Sequence, residues 1–353
     1  MPSQKKLLIL SCSTGTGHTR AAEALRLTCA TVRPDIEVLH LDMAPYLGWF
    51  TRTTVVTSYN LIFTYIPKVY KLIYSVSDSW VIQKFFKLLA PIISFGDRRL
   101  LKKINQYRPN YIISTHYLAQ IILPDNFYCP IDTVITDYYP HKTWLCPNVR
   151  NFFVPTEEVK ASLEKLHTQV IASGIPIDPE FLKEKDKALL KEKLGIHNSW
   201  PVVLIMPMGA EKIAVKQIVE HIYQENKGNE INIAVISDKK TDLPSYKNLL
   251  SLEKVENIDE WMRIADVIIT KAGGLTITEA LQLQKPMIII NSIPGQEDYN
   301  AEYLEKNHFG VTANSASDVA KNLFEILDNK INLNKKSYPD ASKIILEKSL
   351  TDN

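Results

Sequence analysis

Short apolar strands alternate with helices along nearly the whole chain, and this alternation constrains the fold more than any other feature of the sequence. The first strand, KLLILS at residues 6–11, leads into a helical pattern that begins near His18. The same order returns later, where VVLIM (202–206) and VIIT (267–270) each precede a helix. Chains of this kind form parallel sheets with helices on both faces. We therefore predict an α/β protein.

The predicted strands fall into two groups separated by a Pro- and Gly-rich segment, SGIPIDPEF at residues 173–181. They are 6–11, 36–41, 111–115, 133–136, 152–154 and 170–172 before the segment, and 202–206, 231–236, 267–270 and 287–291 after it. A chain of 353 residues is long enough for two domains of about 150 to 200 residues each. We predict an N-terminal domain at 1–173, a linker at 174–181, a C-terminal domain at 182–335 and a helical tail at 336–353. Two Rossmann-like domains facing each other across a cleft, with ligands at the carboxyl ends of the strands, is the architecture that this pattern favours.

The first strand ends in a glycine turn that contains Gly15, Gly17 and His18. Arg20 stands where a dinucleotide fingerprint needs its third glycine, and the sequence contains no GK[ST] of a P-loop. The positive end of the helix dipole lowers the pKa of a histidine in the first helical turn and keeps it neutral. A neutral imidazole can accept a proton, so His18 is a candidate general base. A helix-capping surface histidine is the alternative.

A second glycine turn lies in KAGGLTITEAL, residues 271–281. Gly273 and Gly274 leave backbone N–H groups free at the start of a helix, which suits a diphosphate. Glu279 lies just over one turn inside that helix and could bind a ribose diol, although a solvated helix face is the alternative. The loop after the next strand, PGQEDYNAEYL (294–304), supplies three groups that bind sugar hydroxyls, namely Gln296, Glu297 and Asn300. The two loops together predict one nucleotide-sugar pocket.

Basic and aromatic side chains are concentrated around residues 46–103. Between residues 43 and 110 ten Lys/Arg face two Asp, a local charge of +8 in a chain whose net charge is +2. The stretches IPKVYKLIYSV (66–76) and WVIQKFFKLLAPII (80–93) are amphipathic and could lie in a membrane interface that contains anionic lipids. An ordinary core with a solvated basic face is the alternative. Since no recognised nucleic-acid motif accompanies the segment, we predict no nucleic-acid partner.

The sequence argues against a zinc site or disulfide framework, a membrane-spanning segment and a catalytic metal site. The four cysteines are scattered without CxxC spacing, which favours free thiols over a zinc site or a disulfide framework. No apolar run approaches the roughly 18 residues of a membrane span. No DxD motif accompanies the glycine turns, so no metal site is predicted.

The motifs in their order and spacing resemble the diacylglycerol glycosyltransferases of the monogalactosyldiacylglycerol synthase type. These belong to the same inverting nucleotide-sugar glycosyltransferase family as the enzyme that forms lipid II. The resemblance covers nearly the whole chain. It rests on STGTGHTRAAEAL (13–25), STHYLAQ (114–120), TDYYPHKTW (136–144), VPTEEVK (154–160), SGIPI (173–177), ITKAGGLTITEAL (269–281) and PGQEDYNAEYL (294–304).

The resemblance implies a GT-B fold whose C-terminal domain binds a UDP-sugar and whose N-terminal domain binds diacylglycerol and touches the membrane. The implied donor-binding residues are Gly209, Trp261, Gly273, Gly274, Leu275, Thr276, Glu279, Gln296, Glu297 and Asn300. The implied acceptor-side residues are Gly15, Gly17, His116, His141 and Trp144. His18 is implied as the general base or its immediate neighbour, with Asp137 as the next candidate.

The implied function is that of a peripheral enzyme on the cytoplasmic face of a membrane. It would transfer glucose or galactose from UDP-glucose or UDP-galactose to diacylglycerol with inversion. No cofactor is expected, because the UDP-sugar is a substrate. Three alternatives stay open: another lipid acceptor such as a polyprenyl-linked one, a sugar-nucleotide epimerase of the same fold, and a non-catalytic family member that binds lipid or protein partners.

Overall fold

The chain forms two compact units in a computed structural model. The model describes residues 4–13, 15–53, 74–78, 96–165, 169–207, 213–226, 230–238, 242–292 and 295–351. The first unit comprises Met1–Pro179, Pro294–Gln296 and Pro339–Asn353, and the second comprises Glu180–Ile293 and Glu297–Tyr338.

A six-stranded parallel sheet with the strand order β2-β1-β3-β4-β5-β6 forms the centre of the first unit. Its strands are β1 (Lys6–Ser11), β2 (Glu37–Asp42), β3 (Tyr111–Ser114), β4 (Ile131–Val134), β5 (Val149–Val154) and β6 (Val170–Ala172). The helices of this unit are α1 (Thr16–Val32), α2 (Trp49–Thr51), α3 (Arg98–Tyr107), α4 (Leu118–Ile122), α5 (Glu157–Leu163) and, from much later in the chain, α12 (Ala341–Ser349). Short 3₁₀ turns occur at Ala44–Tyr46 and Lys142–Trp144.

Both faces of this sheet are buried, as expected for a parallel sheet. Successive side chains of a strand point to opposite faces. On one face Leu7 and Ile9 of β1 pack in a cluster that includes Leu346 of α12. On the other face Leu8 packs in a cluster that includes Leu100 of α3. The helix at residues 341–349 therefore belongs to the core of the first unit.

A second six-stranded parallel sheet, with the order β12-β11-β10-β7-β8-β9, forms the centre of the second unit. Its strands are β7 (Val202–Met206), β8 (Asn232–Ser237), β9 (Leu249–Glu253), β10 (Val267–Thr270), β11 (Met287–Ile289) and β12 (Gly310–Thr312). A 3₁₀ turn lies at Pro179–Leu182. The helices that the structure describes between this turn and Tyr338 are α6 (Lys187–Lys193), α7 (Val215–Glu225), α8 (Ile258–Ile264), α9 (Gly274–Gln282), α10 (Gln296–Lys306) and α11 (Ala316–Leu327). Apolar side chains of α7 and α11 pack together with those of the central strands.

The predicted α/β class with parallel sheets is confirmed. All ten predicted strands are present, with ends that differ by up to three residues. Two strands were not predicted. β9 lies at the sheet edge and has no fully buried residue, and β12 has only three residues, so neither produces an apolar run in the sequence.

Most of the basic aromatic segment 46–103 lies outside the described residues, including nearly all of the two predicted amphipathic stretches. The described parts show how its two ends meet. A Cβ atom on Gly48 would clash with the carbonyl oxygen of Gly96, so the two backbones touch. The buried carboxylate of Asp97 accepts hydrogen bonds from the Gly48 N–H at 2.5 Å and the Thr51 hydroxyl at 2.8 Å. Within the described parts of the chain, no helix is long and apolar enough to span a bilayer.

Candidate functional site

The strand order of the first sheet creates a crevice beside β1. Strands β2 and β3 lie on opposite sides of β1, and Leu10 of β1 pairs with Ser114 of β3. Ligands of open parallel sheets bind at such a switch point, outside the carboxyl ends of the strands. The loop after β1 leads to His18, and the loop after β3 carries His116. The fold therefore brings the predicted residues His18 and His116 to the same end of the sheet.

The geometry of His18 fixes which of its ring nitrogens carries the proton. Its Nδ1 lies 2.7 Å from the carbonyl oxygen of Thr115 and 3.1 Å from Oγ1 of Thr136. A carbonyl oxygen only accepts hydrogen bonds, so Nδ1 is the protonated nitrogen. The lone pair of the neutral ring is then on Nε2. Nε2 of His18 is the atom that can act as a base.

The pKa of His18 is lowered, as the sequence predicts, but the main cause differs from the predicted helix dipole. Burial is the largest contribution, and it outweighs the Asp137 carboxylate and the hydrogen bond to Thr115, both of which raise the pKa. His18 is therefore neutral at physiological pH and lies near the negative charge of Asp137.

The two glycines of the first turn lie directly before His18. Gly15, with a φ of 148° that glycine tolerates, precedes α1, and Gly17 and His18 are the second and third residues of the helix.

His116 forms one wall around His18. The two rings are 4.7 Å apart and nearly perpendicular. Nδ1 of His116 accepts a hydrogen bond from the Leu118 N–H at 3.2 Å, and the ring stacks on Tyr117. Burial, with a smaller contribution from His18, lowers the pKa of His116 well below its ordinary value. His116 is therefore a neutral ring in a fixed orientation.

Trp144 and Asp137 lie in the same region of the first unit. The Trp144 ring centre is 6.1 Å from that of His18, and Trp144 is a buried residue. Asp137 is buried as well and interacts electrostatically with His18. The structure thus brings together four of the predicted side chains: His18, His116, Asp137 and Trp144.

His141 holds the neighbouring loop. Its Nδ1 accepts a hydrogen bond from the Thr143 N–H at 3.2 Å, so Nε2 carries the proton and donates to the Tyr74 carbonyl oxygen at 2.9 Å. Asp78 supports the same contact, because its carboxylate accepts from the Tyr139 hydroxyl at 2.9 Å and the Lys142 N–H at 2.7 Å. Both ring nitrogens of His141 are therefore used to join the loop at 139–143 to the turn at 74–78.

The second sheet has its own switch point, between β7 and β10. The loop after β7 contains Gly209, which lies outside the described residues. The loop after β10 contains Gly273, and α9 begins at Gly274. The N-cap residue of this helix is Gly273, which has no side chain to cap it. The N–H groups of its first turn are thus available to an anion.

Gly273 is not a glycine that the fold demands. Its φ of −72° suits any residue, and a Cβ atom there would make ordinary contacts, 3.9 Å from Oγ1 of Thr276 and 4.0 Å from Oε1 of Glu297. The missing side chain leaves room beside the turn. This room fits the close approach of a ligand to the backbone, which is the predicted role of the turn.

Three of the predicted donor residues are buried side chains on α8 and α9. Glu279 is 1% exposed, Leu275 is 5% exposed and Trp261 is 5% exposed. A carboxylate as buried as that of Glu279 is stable only with polar partners.

Helix α10 is tied to the glycine turn by two buried side chains one helical turn apart. Glu297 accepts a hydrogen bond from Nζ of Lys271 at 2.7 Å. Asn300, which is fully buried, donates through Nδ2 to the Ala272 carbonyl oxygen at 3.0 Å. Gln296 is the first residue of α10. The structure thus places Glu297 and Asn300 next to the turn, as the sequence predicts for a single pocket.

Three residues that contribute to these sites were not predicted. Thr115 and Thr136 hold the His18 ring, and Lys271 pairs with Glu297. Each of the three directly precedes a predicted site residue or the second glycine turn. Their place beside these motifs was the only feature of the sequence that could have indicated their role. In the described part of the chain no group of three or more His, Cys, Asp or Glu side chains is arranged for a metal ion. The four cysteines are free thiols, as predicted.

Two family models match the chain. Residues 18–177 match the model for monogalactosyldiacylglycerol (MGDG) synthase, and residues 187–351 match the model for the glycosyltransferase family 28 C-terminal domain.

Two bacterial relatives illustrate the similarity in sequence. The chain is 28% identical to the processive diacylglycerol beta-glucosyltransferase of Bacillus subtilis (strain 168), over 100% of this chain and 97% of the relative. It is 29% identical to the protein of the same name from Staphylococcus saprophyticus, over 88% of this chain and 82% of the relative.

Solved structures show the fold alone. MurG from Acinetobacter baumannii aligns with a TM-score of 0.53 and 13% identity, over 98% of this chain and 99% of that one. The spinosyn rhamnosyltransferase SpnG aligns with a TM-score of 0.58 and 13% identity, over 98% of this chain and 96% of that one. These neighbours are GT-B glycosyltransferases, so the predicted GT-B fold is confirmed.

Proposed function

The chain belongs to the glycosyltransferases that join a monogalactosyldiacylglycerol synthase domain to a family 28 C-terminal domain, and on that premise we propose that it transfers a hexose from a UDP-sugar to diacylglycerol. The product is a glycosyldiacylglycerol, and the transferred sugar is glucose or galactose. The relatives named as diacylglycerol beta-glucosyltransferases support this acceptor. The observation that carries the chemistry is the His18 ring, whose Nδ1–H is held by Thr115 while Nε2 can accept a proton.

The acceptor half of the reaction needs one proton transfer. Nε2 of His18 takes the proton of the acceptor hydroxyl as the hydroxyl oxygen attacks the anomeric carbon of the sugar. The bond from that carbon to the diphosphate breaks, its electron pair leaves with UDP, and the configuration inverts. His18 becomes an imidazolium in this step. The buried Asp137 carboxylate stabilises that positive charge, as the direction of its effect on the His18 pKa indicates.

The donor half needs stabilisation of the leaving diphosphate. The N–H groups at the start of α9 supply it, because the N-terminal end of a helix attracts negative charge. In this proposal Glu279 binds the ribose, and Gln296 and Glu297 bind the sugar. The other predicted donor residues, Gly209, Trp261, Leu275, Thr276 and Asn300, stay predictions. The UDP-sugar is a substrate here, and the proposal includes no cofactor or metal.

Attachment to the cytoplasmic face of a membrane is a further part of the proposal. Trp49 is 81% exposed and Phe50 is 49% exposed, and Asp97 joins their region to the start of α3. Helix α3 buries Leu100 and Ile104 and exposes a row of cations, namely Arg98, Arg99, Lys102 and Lys103. Each such cation contributes roughly 1 kcal/mol near an anionic membrane surface. Exposed aromatic rings beside cations suit a peripheral contact with anionic lipids.

The test is a transfer assay with the full chain and vesicles that contain diacylglycerol. Radiolabelled UDP-glucose or UDP-galactose is supplied, with and without anionic lipid, and the lipids are separated by thin-layer chromatography. We expect a labelled glycosyldiacylglycerol from one of the two donors, formed faster on anionic vesicles. Label that appears only on an added polyprenyl-linked acceptor would overturn the diacylglycerol assignment. Epimerised UDP-sugar without any labelled lipid would overturn the transfer reaction itself.

A further inference from the structure

We propose that Lys271 is a positioning residue of the donor site, whose ammonium group cancels the charge of Glu297 and so lets the glycine turn accept the diphosphate of the UDP-sugar. The inference rests on the proposed function and adds to it a residue with a defined electrostatic role. Lys271 directly follows β10 and directly precedes the turn of Ala272 and Gly273.

The ion pair between Lys271 and Glu297 is largely withdrawn from solvent. Nζ of Lys271 lies 2.7 Å from Oε1 of Glu297, and the two side chains are 23% and 6% exposed. A buried carboxylate is costly unless it is paired and hydrogen bonded. Lys271 therefore holds the Glu297 carboxylate in a fixed place.

That place is directly beside the predicted phosphate site. Oε1 of Glu297 lies 4.0 Å from the position where a Cβ atom on Gly273 would be. The next residue, Gly274, begins α9, whose first N–H groups attract an anion. A bare carboxylate beside this helix end would repel a diphosphate bound there, because like charges in a partly buried site are screened less than in water.

The ion pair between Lys271 and Glu297 removes this repulsion. With Lys271 in place the carboxylate and the ammonium form a neutral unit, and the carboxylate oxygens remain able to accept hydrogen bonds from sugar hydroxyls. Asn300, one helical turn further along α10, holds the Ala272 carbonyl and thus the backbone of the same turn. Lys271 acts on charge and Asn300 acts on backbone position.

The test is the affinity for UDP, measured by calorimetry on four variants of the full chain. We expect Lys271→Met to weaken UDP binding by at least about tenfold, since it leaves the Glu297 charge uncancelled. Glu297→Gln removes that charge and is expected to retain UDP binding while weakening the UDP-sugar. The double variant is expected to bind UDP within about threefold of the unmodified protein, and Lys271→Arg is expected to bind it normally.

The matched control lies at the opposite end of the same strand. Lys187 pairs with Asp266, the residue before β10, at 2.5 Å. Lys187→Met breaks a more exposed lysine–carboxylate pair on the same strand, and UDP binding should not change. The proposal is overturned if Lys271→Met binds UDP as well as Lys187→Met does, or if the double variant stays as weak as Lys271→Met. A purely structural role for the pair predicts the second of these results.

A failure of the proposal on Lys271 can be distinguished from a failure of the proposed function. If the unmodified protein does not bind UDP, the donor assignment fails before any variant is compared. If it binds UDP but does not glycosylate diacylglycerol, the acceptor assignment fails and the charge test on Lys271 still decides the role of this residue.

Discussion

Replacing His18 with asparagine would separate the two ring nitrogens to which the structure assigns different tasks. The amide nitrogen of asparagine takes the place of Nδ1 and can still donate to the Thr115 carbonyl oxygen, which lies 2.7 Å away in the native protein. Nothing in asparagine takes the place of Nε2. The variant therefore removes the proposed base and keeps the hydrogen bond that orients residue 18.

The expected effect is large for turnover and small for folding. A general base contributes about 10²- to 10⁴-fold to a rate, or roughly 3–5 kcal/mol of the activation barrier. If the hydrogen bond to Thr115 were lost as well, the free energy of unfolding would fall only by about 0.5–1.5 kcal/mol. UDP binding should not change, because none of the predicted donor residues belongs to α1, the helix that carries His18.

The variant is tested by kcat in the vesicle assay, by UDP affinity and by urea unfolding. His40→Asn is the matched control, because His40 is a part-buried histidine of the same unit that is hydrogen bonded to Ser11 Oγ at 2.8 Å. We expect normal kcat from the control. A His18→Asn protein that folds, binds UDP and turns over within about threefold of the native rate would refute the role of His18 as base.

Three further predictions concern the pH dependence of turnover and the stability of the fold. Because burial lowers the pKa of His18, we expect kcat/KM to stay level down to pH values below the ordinary histidine pKa and to fall only where the ring becomes protonated. Asp137→Asn removes a charge that raises this pKa, so the fall should move to still lower pH and the plateau should drop; a profile identical to the native one would contradict the assignment. Asp132 is fully buried and accepts two hydrogen bonds from Arg150 at 3.0 and 2.6 Å, so Asp132→Ala should lower the free energy of unfolding by about 3–5 kcal/mol in urea. The exposed pair of Arg33 and Asp35 is the control, and Asp35→Ala should leave the urea transition where it is; equal shifts for both variants would contradict the argument.

The fold was largely predictable because buried parallel strands appear in the sequence as continuous apolar runs. VVLIM at β7 and VIIT at β10 are buried along their whole length and have the predicted bounds. The edge strand β9 contains only partly buried and exposed residues, so LLSLE does not stand out in the sequence as a buried strand. Pattern reasoning fails where a strand contributes little to the core.

The candidate site was predictable in its residues but not in its contacts. The low pKa of His18 was expected from its helix, whereas its main cause is burial among groups from other loops, such as Thr115 and His116. Likewise Lys271 and Glu297 are 26 residues apart and meet only because α10 follows the strand that neighbours β10. Such contacts depend on the order of strands in the sheet, which local patterns do not contain.

Helix α12 also affects how the protein is made. The strands of the first unit are translated well before residues 341–349, on the order of ten seconds earlier at about 5–20 residues per second. During that interval Leu7, Ile9 and Ile113 lack Ile345 and Leu346, with which they share a buried cluster in the folded protein. The half of the protein that carries the proposed base is therefore synthesised first and completed last, after the ribosome has already delivered the donor half.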